Sequence, residues 1–195
     1  MKKFIFLVAV AMMAATGVKA QSDSKQEIAV SYGAFSNSDW LNIIEDVVGA
    51  IFGETYDDGS YVGPIGLEYF YHLKPWVGVG AIATYGHVIQ DSRKGDDKVG
   101  HKTNRYITVL PAFKFDWLRR DKIGLYSKLG AGVTWRNEIR EFDGDRAEYN
   151  TDKTDYHFNW QVSLLGIEVG NKLRGFAEGG FGEQGLFMAG LRYRF

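Results

Sequence analysis

Charged side chains recur at alternate positions inside otherwise apolar segments: Glu68, Lys114, Asp116, Lys128, Arg136, Glu138, Arg174, Glu178, Arg192 and Arg194. Set on one side of extended strands, they would meet in a shared interior. Isolated charges there are costly, so these acids and bases are expected to pair and hydrogen-bond. Two outcomes follow: an ion-paired plug that fills the interior, or a charge-lined pathway for small solutes. The other candidates for chemistry are His72, His87, His101 and His157. Catalysis would need one of them as a base beside a nucleophile. His157 shares a face with Asn159, Gln161 and Ser163, which reads as a plain polar stripe. The histidines show no metal-ligand spacing with each other, and the absence of cysteine excludes thiolate sites and disulfides. No catalytic residue, metal or cofactor is expected.

Two further segments carry a pattern of their own. Trp40, Ile44, Val47, Val48 and Ile51 share one face of a helical period, opposite Asn42, Glu45, Asp46 and Gly49. Asp39 suits the start of such a helix and Gly53 its end. It would rest on a rim or interface, or offer an apolar face to a partner. The acidic stretch Glu141, Asp143, Asp145, Glu148, Asp152 and Asp155 lacks the spacing of a calcium loop and reads as solvated.

The elements that position these residues begin after an export signal. Lys2 and Lys3 precede an apolar run from Phe4 to Ala15, and Val18-Lys19-Ala20 offers a cleavage site before Gln21. Residues 1–20 therefore read as a signal peptide and 21–195 as one domain. Without Lys2, Lys3 and Lys19, the 23 basic residues fall by three against 24 acidic ones, a net charge of about −4. That balance argues against nucleic acid as a partner. Aromatic residues make up 15%, with 24 Gly and only 3 Pro, which suits long strands.

Period-2 alternation predicts eight strands near 26–35, 60–72, 76–90, 103–117, 122–139, 155–170, 173–181 and 186–195. Short links at 73–75, 118–121 and 171–172 alternate with longer ones at 36–59, 91–102 and 140–154. An up-and-down barrel in an outer membrane has this asymmetry, with short periplasmic turns and longer outer loops. The faces are distinct. Ile123, Leu125, Leu129, Ala131, Val133 and Trp135 lie opposite Tyr126, Lys128, Gly130, Gly132, Thr134, Arg136 and Glu138. The polar faces mix charge with glycine (Gly66, Gly78, Gly80, Gly130, Gly132, Gly190), which in a narrow barrel makes room for long inward side chains. Aromatics gather toward both ends of the apolar faces: Tyr71, Trp117, Tyr193 and Phe195 at one, Trp135, Tyr156, Phe158 and Trp160 at the other. Polar-in is the expected orientation. Pro111 predicts a bulge or break in its strand. Glu168 falls on the apolar parity, so either the strand bulges near Leu164-Leu165-Gly166 or Glu168 lies beyond the hydrocarbon.

The last strand carries Phe187, Ala189, Leu191, Tyr193 and a final Phe195 at alternate positions. It resembles the C-terminal signature of bacterial outer-membrane barrels, and the whole mature segment is similar to the small OmpA/OmpX-like family. The resemblance implies an all-β fold: an eight-stranded antiparallel up-and-down transmembrane barrel, here with a short helix in its first outer loop. It implies outer-membrane lipids as surroundings and the barrel-assembly machinery as the reader of Phe187, Ala189, Leu191, Tyr193 and Phe195. The expected role is a non-enzymatic surface, structural or adhesion protein with a possible extracellular partner at its loops. A porin-like minor channel is the alternative. A lipid A-modifying enzyme is a weaker one, because no histidine begins the His-x-Ser pair of such deacylases.

Overall fold

The computed structural model describes residues 24–38, 55–57, 61–94, 97–142 and 150–195. The expected signal segment, the helical stretch carrying Trp40, Ile44, Val47, Val48 and Ile51, and acidic residues Asp143, Asp145 and Glu148 lie outside them.

The alternating segments form β1 (Gln26–Ala34), β2 (Thr55–Asp57), β3 (Tyr61–Lys74), β4 (Val77–Lys94), β5 (Asp97–Arg119), β6 (Ile123–Phe142), β7 (Thr151–Gly170), β8 (Leu173–Gly182) and β9 (Phe187–Arg194). All pairings are antiparallel, and the β4–β5 ladder closes the ring β3-β1-β9-β8-β7-β6-β5-β4. Eight strands thus form a closed barrel. The three residues of β2 pair with β4 at Asp91–Arg93, beyond Val88, where β3 stops.

Two expected loops are mostly strand. In place of links at 91–102 and 140–154, β4 runs to Lys94, β5 starts at Asp97, β6 reaches Phe142 and β7 begins at Thr151. Alternation marks a strand only where one face is apolar. In these extensions both faces are polar, so the ladder continues after the sequence signal has stopped.

Side-chain burial is inverted relative to a barrel in water. Trp117 is 74% exposed and Phe158 70%, whereas Arg192 and Lys114 are fully buried. Pro111 breaks the β5–β6 ladder without a shift: Val109 pairs with Val133 and Ala112 with Gly130, at the same register on both sides. β7 bulges instead. Lys128 faces Ser163 while Tyr126 faces Gly166, so Leu164 and Leu165 both point outward and Glu168 returns to the interior. The Ser127 hydroxyl donates to the Leu164 carbonyl at 2.6 Å, binding the bulge to β6. The β8–β9 turn depends on Gly182 and Gly185, at φ of 130° and 106°, conformations that exclude side chains with a Cβ.

Strict alternation would make leucine the natural residue at 168, but the bulge makes it a mistake. Glu168→Leu should lower unfolding free energy by roughly 3–5 kcal/mol, because Arg174, Arg192 and Arg194 each lose a buried carboxylate partner. Urea titration in detergent micelles, followed by tryptophan fluorescence, measures the change.

Candidate functional site

The site is the barrel interior, and its chemistry is ionic. At its centre and toward the short turns, five carboxylates (Glu27, Glu68, Asp116, Glu168, Glu178) and five cations (Lys114, Lys128, Arg174, Arg192, Arg194) are buried. Each comes from an inward position of a strand, and the register sets which of them meet. Burying one such ion unpaired costs several kcal/mol, so this balance is a condition of folding.

Arg192 occupies the centre. Its Nη1 donates to Glu168 Oε2 at 2.7 Å and its Nη2 to Glu68 Oε2 at 2.9 Å. Glu27 and Glu178 each lie 3.6 Å from it. The guanidinium is sandwiched between the rings of Tyr126 and Phe176, 4.5 Å from each centroid. Lys128 donates to Glu68 and, at 3.1 Å, to Gln184, and it pairs with Glu178 at 2.9 Å. The Tyr126 hydroxyl donates to Glu178 at 2.5 Å.

Toward the short turns, Lys114 donates to Glu27 at 2.6 Å and lies 3.3 Å from Asp116. Asp116 also takes His72 Nε2 at 2.6 Å and Arg119 at 3.1 Å. Arg194 pairs with Glu168, and Arg174 donates to the carbonyls of Arg120, Asp121 and Asn171 while reaching Glu168 at 3.4 Å.

The buried carboxylate of the opposite half of the bore is Glu183. That carboxylate, from the β8–β9 turn, accepts from Ser38 Oγ at 2.7 Å, Asn159 at 2.7 Å and Thr108 at 3.0 Å. Its neighbour Gln184 accepts from Lys128 at 3.1 Å and donates to Glu68 at 2.7 Å. Long side chains therefore fill the lumen: Arg192, Tyr106, Tyr126, Phe70, Lys102, Lys114 and Lys128 are all essentially inaccessible.

Of the sequence-selected charges, Glu68, Lys114, Asp116, Lys128, Arg174, Glu178, Arg192 and Arg194 come together. Arg136 and Glu138 do not join them. They form a separate group with Arg140 (2.7 and 2.6 Å to Glu138) at the far end of β6. Glu27, Glu168, Glu183 and Gln184 are not among the sequence-selected residues, and His72, a candidate base in the sequence, joins the charges through Asp116. Glu27 could have been found, since Glu27, Ala29 and Ser31 alternate with Ile28, Val30 and Tyr32. The turn residues carry no periodic signal.

The remaining histidines are dispersed. His87 and His101 lie on the outward rows of the long strands, and His157 lies inward opposite Thr134. Partial burial and the neighbouring Arg105 guanidinium hold the His87 imidazole below its usual value. Among the described residues no group of His, Asp and Glu side chains could hold a metal ion. Phe187, Ala189, Leu191, Tyr193 and Phe195 line the outward face of β9, where the last two aromatic rings stack at 5.9 Å.

No protein-family model matches the chain, and no curated protein does. Among solved structures it is similar to Ail, the attachment invasion locus protein of Yersinia pestis, in complex with the heparin analogue sucrose octasulfate. That match has 14% identity and a TM-score of 0.47, covering 87% of this chain and 96% of the other. A second structure of Ail matches with 14% identity, the same coverage and a TM-score of 0.42.

A double-mutant cycle separates pairing from mere burial. Lys128→Met and Glu68→Gln should each destabilise strongly, and the double variant should lose less than their sum by ~0.5–3 kcal/mol. Urea midpoints of the four proteins in micelles give the coupling, and simple additivity would deny that the pair acts as a unit.

Proposed function

We propose that this protein is an integral outer-membrane β-barrel, exported by its N-terminal signal segment, closed to solutes and serving the cell surface as a non-enzymatic interaction protein. The observation that supports this best is the inverted burial, with aromatic and aliphatic rows outside and ion pairs inside. Water would favour the reverse, whereas acyl chains favour this arrangement.

The outward rows have the right length. On β5 the apolar row runs from Ile107 to Trp117, about the 9–11 residues a tilted strand needs to cross hydrocarbon. Just beyond it the outward row becomes His87, Arg105, Asn137 and Thr154 on adjacent strands. Tyr71, Trp76 and Trp117 mark one interface; Trp135, Tyr156 and Phe158 mark the other. Outer-membrane lipids are the partner of this band. The row Phe187, Ala189, Leu191, Tyr193 and Phe195 is the stretch we assign to the barrel-assembly machinery.

Surface interaction is supported by the strands that outrun the band. β8 begins pairing with β7 only at Gln161, so among the described residues β7 from Thr151 to Trp160 has β6 on one side and no strand on the other. Such an edge offers backbone donors and acceptors to an extended segment of an extracellular partner, beside the exposed Tyr156 and Phe158.

The folded protein is expected to require detergent or lipid, to migrate differently boiled and unboiled on cold SDS gels, and to give no unitary conductance in planar bilayers. Full solubility without detergent would overturn the membrane assignment. Reproducible discrete current steps would overturn the closed lumen in favour of a minor channel. Altered lipid A after incubation, read by mass spectrometry, would overturn the non-enzymatic role.

A further inference from the structure

The turn side of the barrel opens into a cavity of about 670 Å³, bounded by the short turns and the start of β1. That volume lies within the range of small-ligand sites. Lys74 lies over the Trp76 ring, 6.0 Å from its centroid, and the other cations fall into two sets. Arg119, Arg174 and Arg194 hold the structure together: Arg119 binds Asp116 and the Ser24 carbonyl (3.1 and 2.7 Å), Arg174 binds turn carbonyls, and Arg194 binds Glu168. Lys25, Arg120 and Lys172 also line the cavity, yet their side chains hold no partner among the described residues. Among the described residues, Asp121 is the single acidic side chain in the wall.

His72 is a second, independent observation at this cavity. It is 4% exposed, lines the cavity, and gives Nε2 to Asp116, while its buried Nδ1 has no hydrogen-bond partner. A buried ring nitrogen left in that state is costly.

We propose that this mouth binds a phosphate-bearing ligand, its anion held by Lys25, Arg120 and Lys172 with His72 Nδ1 as a further polar contact. Cations converging on a cleft with low-dielectric walls focus a positive potential on its centre. The arginine fork matches the oxygens of a phosphate, and lysine adds an adjustable point charge. With Nε2 held by Asp116, Nδ1 is the ring nitrogen left to meet the ligand. The cavity also accommodates an organic group attached to the phosphate, as in a phospholipid headgroup or a soluble phosphorylated solute. The inference needs only the barrel fold and stands whichever role the opposite end serves.

The test uses the refolded chain in nonionic detergent, titrated calorimetrically with inorganic pyrophosphate at low salt. Binding should weaken as salt rises. The Lys25→Ala/Lys172→Ala variant touches no ion pair of the interior, so it should fold normally and bind at least tenfold more weakly. Lys153→Ala, on β7 at the other end of the barrel, should bind as wild type. In ¹⁵N spectra pyrophosphate should move the His72 imidazole signals and leave those of His157 in place. In nanodiscs, a His72 shift with phosphatidylglycerol but not phosphatidylcholine would identify the headgroup as the source; a shift with pyrophosphate alone would identify a soluble one. No binding heat and no His72 shift at millimolar pyrophosphate would overturn the proposal, and so would equal binding by the double-lysine variant.

Discussion

A guanidinium with no access to water is the constraint around which this barrel is organised. Arg192, on β9, reaches carboxylates carried by β1, β3, β7 and β8, and its flat faces are covered by rings from β6 and β8. Such a charge is tolerable only when every neighbour is in place at once. The backbone ladder alone would accept many registers. A one-residue slip would turn the charges outward, and a two-residue slip would keep them inside at the wrong height. The ion pairs therefore select one register, which makes the interior a source of specificity as much as of stability.

The same register explains why the lumen is layered. Charge is concentrated in the half near the short turns and at the centre, where β1, β3, β5, β7 and β9 all contribute an acid or a base. The other half is filled by threonine, asparagine and glutamine side chains around Glu183. That filling is possible because Gly182 and Gly185 allow a turn that directs Glu183 and Gln184 into the bore. The plug is therefore supplied by both strands and a turn, and no added domain is required.

Much of this was legible from alternation. The eight barrel strands, the inward row of charges and the short turns all follow from period 2 together with glycine placement. Parity says which side a residue faces but not which residue it meets across the bore. Arg136 and Glu138 have the correct parity and still stand apart, because they lie too far along β6 to reach the central layer. Glu168 has the wrong parity and is central, because a bulge at Leu164–Leu165 reverses the face. A bulge leaves only a doubled apolar residue in the sequence, which a turn or a strand end would equally well leave. The strand extensions past Gln90 and Ile139 were hidden for the opposite reason: with water on both sides, nothing forces alternation. Glu183 and Gln184 sit in a turn, where periodicity carries no information at all.

The extensions raise a question that the barrel itself answers by closure. An unpaired edge in water invites pairing with any extended chain, and proteins commonly guard it with charge. Here the guard is graded. Near its tip, β7 carries Lys153 and Asp155, solvent-exposed and paired with each other at 3.1 Å, with Asp152 held by Asn137. Lower down, the same edge presents Tyr156 and Phe158, both exposed, with Trp135 packed edge-on against Tyr156. Strand addition is thus disfavoured at the tip by desolvation of charge and favoured at the base by aromatic contact. A partner entering along this edge would be directed toward the barrel rim, where, among the described residues, the ladder of β7 passes to β8 at Gln161 and the unpaired edge ends.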